Sequence, residues 1–234
     1  MADTRDPTTT GSRGPAVTPP SPVTGPGPAT DAPAGAPATA DRDYAERLER
    51  LQGKWWKKLL RVQLPWQLHL RALRLGRTLD VGCGTGRNLG NLPAGSVGVD
   101  HNPHSVAVAR AAGGDAHTDV EFFADPAMSA PGGFDALLAA HLVEHLTPAE
   151  ARTVLGSYLP ALRPGGRLVL FTPQERGYAS DPTHVVFSGF DELTALCADL
   201  GLQVARRYSF PFPRWTGKLF VYNEFVVIAR VPTS

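Results

Sequence analysis

The sequence predicts an α/β domain built on a largely parallel sheet. From residue 77 onward seven short apolar runs alternate with helical patterns, and only the last two runs have no helical segment between them. A crossover helix returns the chain so that the next strand runs parallel, whereas a loop alone returns it antiparallel. With 234 residues, 42% of them hydrophobic, the chain is long enough to bury one sizeable core and carry a tail as well.

Residues 1 to 40 are dominated by Pro, Ala, Thr and Gly and hold almost no large apolar side chains. Burial there cannot offset the entropy of ordering, so the sequence predicts a disordered tail. Residues 41 to 76 read as a helical cap. Leu48, Leu51, Trp55, Leu59 and Val62 recur at helical spacing, with Glu, Arg and Lys on the opposite face. Pro65 suits the first turn of a second helix that runs through Leu68, Leu70, Leu73 and Leu75 and stops at Gly76. Residues 77 to 234 form the main domain. Strands are expected at Thr78 to Val81, Ser96 to Val99, Ala116 to Thr118, Phe134 to Ala140, Arg167 to Phe171, Val204 to Ser209 and Phe220 to Val231. Helices are expected to begin near Gly86, Pro103, Pro148 and Phe190. The loop Phe210 to Lys218 joins the last two strands as a hairpin, which makes the final strand antiparallel.

The bulk properties exclude several classes. Lys and Arg number 23 against 22 Asp and Glu, so no basic surplus is present to neutralise a phosphate backbone, and no nucleic-acid partner is expected. No apolar run is long enough to span a bilayer, and the N-terminus has no basic start followed by an apolar core, so a cytoplasmic setting is expected. Cys83 and Cys197 lie far apart inside expected packed elements, which indicates neither a disulfide framework nor a thiolate metal site. Composition does not define an oligomeric state.

Leu79 to Leu89 reads as a strand end, a tight glycine turn (Gly82, Gly84, Gly86) and a helix start. Glycine admits unusual dihedrals and lets a ligand approach where a Cβ would intrude, and free amides at a helix N-terminus favour a polar group. The dinucleotide fingerprint requires a third glycine at the position held by Arg87, so a bound pyrophosphate is disfavoured. Sixteen residues beyond Gly84, the apolar run Val97-Gly98-Val99 ends in Asp100, a carboxylate that at the carboxyl edge of the neighbouring strand could accept both hydroxyls of a ribose. An ordinary turn and a helix cap before Pro103 are the bland alternatives. Their joint occurrence at this spacing favours a nucleoside.

The run Asp80-Val81-Gly82-Cys83-Gly84-Thr85-Gly86, the later acidic strand end and the closing hairpin together resemble class I S-adenosylmethionine-dependent methyltransferases over roughly residues 77 to 231. The resemblance implies a doubly wound, Rossmann-like sheet of order 3-2-1-4-5-7-6 with the cofactor across the carboxyl ends of strands 1 and 2. By position it implies that Asp80, Gly82 and Gly84 hold the methionine end and Asp100 the ribose. His101 would lie beside the adenine, Asp119 and Val120 at its edge, and His141 among the cofactor contacts. The stretch Ala140 to Leu146 resembles the small-molecule branch, akin to quinone and natural-product methyltransferases. The cap helices, with Trp55 and Trp66, would then cover the cofactor and acceptor pocket.

Two rival readings follow from the same residues. His141-Leu142-Val143-Glu144-His145 matches the inverted zinc-protease motif, which needs one helix to present both imidazoles. Phe134 to Ala140 reads instead as a strand and Pro148 restarts a helix, so no metal is assigned. A binding module that senses S-adenosylmethionine would keep the fold without chemistry. The polar crowd after strands 4 and 5, namely His141, His145, Gln174, Glu175, Tyr178, Asp181 and His184, favours an enzyme. Gln174, Tyr178, His184, Phe212 and Tyr222, with Trp55 and Trp66, are the candidate acceptor contacts. His184 is the first choice for a base, with Asp181 three residues earlier to orient it, and His145 is the second.

Overall fold

The computed structural model describes residues 63–233. The expected tail (1–40), the first cap helix and Trp55 lie outside the described residues. Helix α1, Leu64–Ala72, has Pro65 in its first turn and ends four residues before Gly76, where the expected helix stopped. Arg74 takes a left-handed φ of 47° and breaks the helix, and Arg167 donates to the Leu73 and Arg74 carbonyls exposed by the break.

Seven strands follow as expected: β1 Thr78–Val81, β2 Val97–Asp100, β3 Ala116–Thr118, β4 Phe134–Ala140, β5 Leu162–Pro173, β6 Gln203–Phe210 and β7 Glu224–Arg230. The sheet order is β3-β2-β1-β4-β5-β7-β6, with β7 antiparallel to both β5 and β6. Between the strands lie α2 Pro103–Ala111, α3 Asp119–Ala124, α4 Pro148–Tyr158, α5 Glu175–Tyr178 and α6 Phe190–Asp199. Prolines open α2 and α4. Asn102 caps α2 by accepting from the amides of His104 and Ser105, and Thr147 with Glu150 forms a reciprocal capping box on α4.

Three differences from the sequence reading have local causes. No α-helix begins near Gly86; turns lead to one 3-10 turn at Leu89–Asn91, because Gly90 and Pro93 leave no uninterrupted run for an α-helix. Strand β5 begins five residues earlier than expected: its partner β4 skips from Phe134 to Ala136 while β5 passes from Leu162 to Arg167, so the Pro164-Gly165-Gly166 stretch is an irregularity within the strand. The final strand starts at Glu224 because Arg214 to Asn223 is taken up by a 3-10 turn at Arg214–Lys218 and the tight turn after it.

The core lies on both faces of the sheet, and alternation along each strand divides it. Leu137, Leu168, Leu170, Phe225 and Val227 pack on one face with Leu155 of α4 and Leu193 of α6. Leu138, Val169, Phe171, Val226 and Ile228 pack on the other with Leu70 of α1. Each fully buried side chain of this size contributes about 1.5–3 kcal/mol. The carboxyl ends of β1, β2, β4 and β5 are thereby held at one rigid edge, where the loops carry most of the candidate residues. Among the described residues no helix is long and apolar enough to cross a membrane.

Candidate active site

The glycine loop is sewn to the neighbouring strand. The amides of Gly82 and Cys83 both donate to the Val99 carbonyl, at 2.9 and 3.0 Å, and the Gly84 amide donates to Asp100 Oδ2 at 2.8 Å. Asp100 Oδ1 accepts from the Asn102 amide at 2.9 Å, so its carboxylate ties loop and strand together while Asn102 does the helix capping. Each oxygen of a carboxylate has two acceptor directions, so a diol can still be received. Gly82 and Gly84 have φ of 74° and 53°, a region that disfavours side chains. A Cβ on Gly82 would meet Leu142 Cδ1 at 2.9 Å, whereas one on Gly84 would project into open space. Gly84 is therefore the mouth of the loop.

Asp80, two residues before Gly82, is fully buried, with the Asn88 side chain near enough to favour its charged form but no hydrogen bond of normal geometry to either carboxylate oxygen. Burial pushes its pKa up to about 7, against the lowering influence of Asn88 and Arg87. A buried carboxylate without a well-formed hydrogen bond fits an incoming ammonium group. His101 is exposed beside Asp100, with Nδ1 3.5 Å from Oδ1. Thr118 pairs with Asp100 across the sheet, so Asp119 and Val120 follow at the same edge. They open α3, a short helix capped by Thr118 and Glu121 that the sequence reading missed; Val120 is 74% exposed and Asp119 half-buried. Cys83 is packed, and burial pushes its thiol well up, which makes it unreactive.

The second half of the site is built on β4, β5 and β7. His141 follows β4 with a left-handed φ of 60°, its amide donating to the Phe171 carbonyl. Its ring is clamped, Nδ1 3.1 Å from Glu144 Oε1 and Nε2 3.0 Å from Glu224 Oε1. Burial alone would lower this imidazole; the Glu224 and Glu144 charges outweigh it and hold the pKa at about 9. Sequence reasoning missed Glu224, whose one signal is a carboxylate at the head of the buried run Phe225 to Ala229. Both glutamates are buried, and each keeps one oxygen, Oε2, without a partner.

His145 and His184 come together from separate loops, ring centroids 4.9 Å apart. His145 Nδ1 lies 3.2 Å from the Thr183 carbonyl and His184 Nδ1 2.7 Å from the Tyr178 carbonyl; Tyr178 also stacks on His184. Burial lowers the pKa of His145. The expected orienting role of Asp181 is corrected: its carboxylate accepts from the Thr183 amide and hydroxyl, and the Tyr178 carbonyl orients His184. The protease-like motif does not lie on one helix, since His141 follows a strand and Glu144 and His145 sit on a 3-10 turn.

Gln174 is also corrected from acceptor contact to scaffold. It is fully buried, and its amide bonds Ser209 Oγ, the Glu224 carbonyl and Asn223 Nδ2, which knits β5 to the β6–β7 hairpin. Trp66 on α1 faces Phe210 and Tyr222 edge-on, and its buried Nε1 has no partner. His69, one turn on and missed by sequence reasoning, stacks on Phe210 at 3.9 Å and bonds the Tyr208 hydroxyl. Tyr222 and Phe212 are partly exposed, Phe212 packing on Phe220 further out along the loop.

A protein family described as a methyltransferase domain matches residues 78–166. The ubiquinone biosynthesis O-methyltransferase of Xanthomonas campestris pv. campestris (strain B100) is 30% identical over 143 residues, covering 54% of this chain and 59% of the relative's length. A SAM-dependent methyltransferase from Archaeoglobus fulgidus superposes with a TM-score of 0.57 at 18% identity, covering 75% of this chain and 98% of that one. Magnesium protoporphyrin IX methyltransferase from Synechocystis PCC 6803 with bound SAH does so with a TM-score of 0.57 at 16% identity, covering 83% and 97%. Residues 78–166 are thus similar to a methyltransferase domain, and the seven-stranded sheet has the fold of these solved S-adenosylmethionine-dependent methyltransferases.

Proposed function

We propose that this chain transfers a methyl group from S-adenosylmethionine to a small-molecule acceptor. The observation that carries the reading is Asp80, a fully buried carboxylate with no well-formed hydrogen bond to either oxygen, two residues before a glycine loop that is open at Gly84. Such a group matches the ammonium of a methionine moiety, and Asp100, at the end of the adjacent strand, matches a ribose diol. His101, Asp119 and Val120 lie along the edge where an adenine would rest.

When bound, the cofactor supplies a methyl group activated by its sulfonium. The chain's own work is to hold the acceptor about 3 to 3.5 Å from that carbon, in line with the departing sulfur, and to keep water out. Trp66 and Tyr222 offer an aromatic wall, while Tyr178 packs on His184 and Phe212 on Phe220. His184 is suited to take a proton from a hydroxyl or ammonium acceptor: a carbonyl can only accept, so its Nδ1 carries the proton and its Nε2 the lone pair. His145, fixed the same way on Thr183, is the second choice. His141 acts through its two glutamates, holding Glu144 in place.

The near balance of charge supports a small acceptor rather than nucleic acid, and the two buried free thiols support a reducing, cytoplasmic setting. The test is transfer of isotope-labelled methyl from S-adenosylmethionine into a small-molecule extract. Label is expected in low-mass product with wild-type chain and is lost with Asp80→Asn. Label confined to polymer, or absent throughout, overturns the reading.

A further inference from the structure

Glu144 and His145, the second half of the His141-to-His145 motif, are only partly accounted for by methyl transfer. Glu144 is fully buried; His141 engages Oε1, and Oε2 has no hydrogen-bond partner. His184 approaches from the other loop, which is tied to Glu144 by the Val185 and Val186 amides donating to the Glu144 carbonyl. One ligand atom from each of Glu144, His145 and His184 lies within 4.8 Å of the other two.

The three side chains are held as metal ligands are held. Both histidines donate Nδ1–H to a backbone carbonyl, which fixes the tautomer and directs the Nε2 lone pair away from it. The glutamate is braced by His141, itself braced by Glu224. Tyr178 packs against the His184 ring and limits its rotation. Two imidazoles and one carboxylate are a nitrogen-rich, borderline donor set, which suits zinc and its neighbours in the first transition row and not magnesium or calcium, which prefer all-oxygen sites.

We propose that Glu144, His145 and His184 bind one divalent transition-metal ion, with zinc the best match, at the acceptor end of the site. This departs from the sequence reading, which assigned no metal. Three protein ligands leave at least one coordination position open, and an acceptor bearing a hydroxyl or carbonyl oxygen would fill it. That role for the ion rests on the methyltransferase reading, whereas ion binding does not. His184 then serves as a ligand and not as the base.

The experiment is a calorimetric titration of chelator-treated full chain with Zn2+, with Mg2+ as control and S-adenosylhomocysteine titrated in parallel. One Zn2+ per chain is expected, with no comparable heat from Mg2+. Because losing a group that merely orients a ligand already costs about 10–100-fold in affinity, His184→Ala and Glu144→Gln should each weaken Zn2+ by a hundredfold or more. His184 lies on a half-exposed loop outside the core, so His184→Ala keeps the test sound if the buried Glu144 variant folds poorly. Failure to bind Zn2+ at one per chain, or equal binding by wild type and His184→Ala, overturns the proposal. Zn2+ binding without S-adenosylhomocysteine binding would uphold the metal site and overturn the methyltransferase reading; the converse would do the reverse.

Discussion

His141 sits between two buried carboxylates with its backbone in a left-handed conformation, an arrangement that persists only if the surrounding bonds reward it. Its pKa is about 9 in the fold against 6.5 ordinarily, so the protonated ring is favoured by folding. The sign follows: this stabilisation is complete below pH 6.5 and is lost as pH rises to about 9. With the ring 32% exposed, water screens part of the effect, leaving roughly 2 kcal/mol. Thermal melts of the wild type should therefore decline across that window, and His141→Gln should melt lower at pH 6 and show a flatter decline. An unchanged slope in the variant would contradict the clamp. At this scale the sequence was only partly informative. The turn at Gly82 and Gly84 and the strand end at Asp100 were legible because spacing fixes them, whereas Asp80 was singled out only through the family resemblance. The partners of His141 and His184 were not, because Glu224 and the Tyr178 carbonyl meet them only through the fold.

The glycine loop is the element with the sharpest internal contrast. Both key glycines are left-handed, yet a side chain at Gly82 collides with Leu142 while one at Gly84 meets nothing. Gly82→Ala should lose about 2–4 kcal/mol of stability from backbone strain plus overpacking, measured by denaturant unfolding. Gly84→Ala should lose only about 1–2 kcal/mol from the backbone, yet bind S-adenosylhomocysteine at least about tenfold more weakly as its methyl fills the mouth. Equal stability losses with affinity intact would remove Gly84 from the binding surface. Elements opened by proline, α2 and α4, were legible at their first residue, because proline and the residue before it act locally. Helix α3 was missed since six residues are too few for periodicity, although Thr118 and Glu121 spell its capping box. The expected helix at Gly86 failed because Gly90 and Pro93 leave no uninterrupted run beyond the glycine turn.

Across the whole molecule, strand order and the antiparallel final strand followed from the resemblance and from the missing crossover helix, and both are present. The division of labour also emerges at this scale. One half of the sheet edge holds a buried carboxylate just before the glycine loop, while the other gathers histidines, glutamates and aromatic rings from β4, β5, β7 and α1. The acceptor half was less legible because its members are brought together by loops and by the hairpin, and Gln174 shows how a polar residue in the right loop can belong to the scaffold. The most direct measurement of the central claim is calorimetric titration of the full chain with S-adenosylhomocysteine, repeated with NAD and with Asp80→Asn. The account predicts one S-adenosylhomocysteine per chain, no binding of NAD, and a loss of about 1.5–3 kcal/mol of binding energy in the variant, the scale of a hydrogen-bonded charged group. No saturable binding of S-adenosylhomocysteine, equal binding of NAD, or an Asp80→Asn variant with wild-type affinity would contradict it.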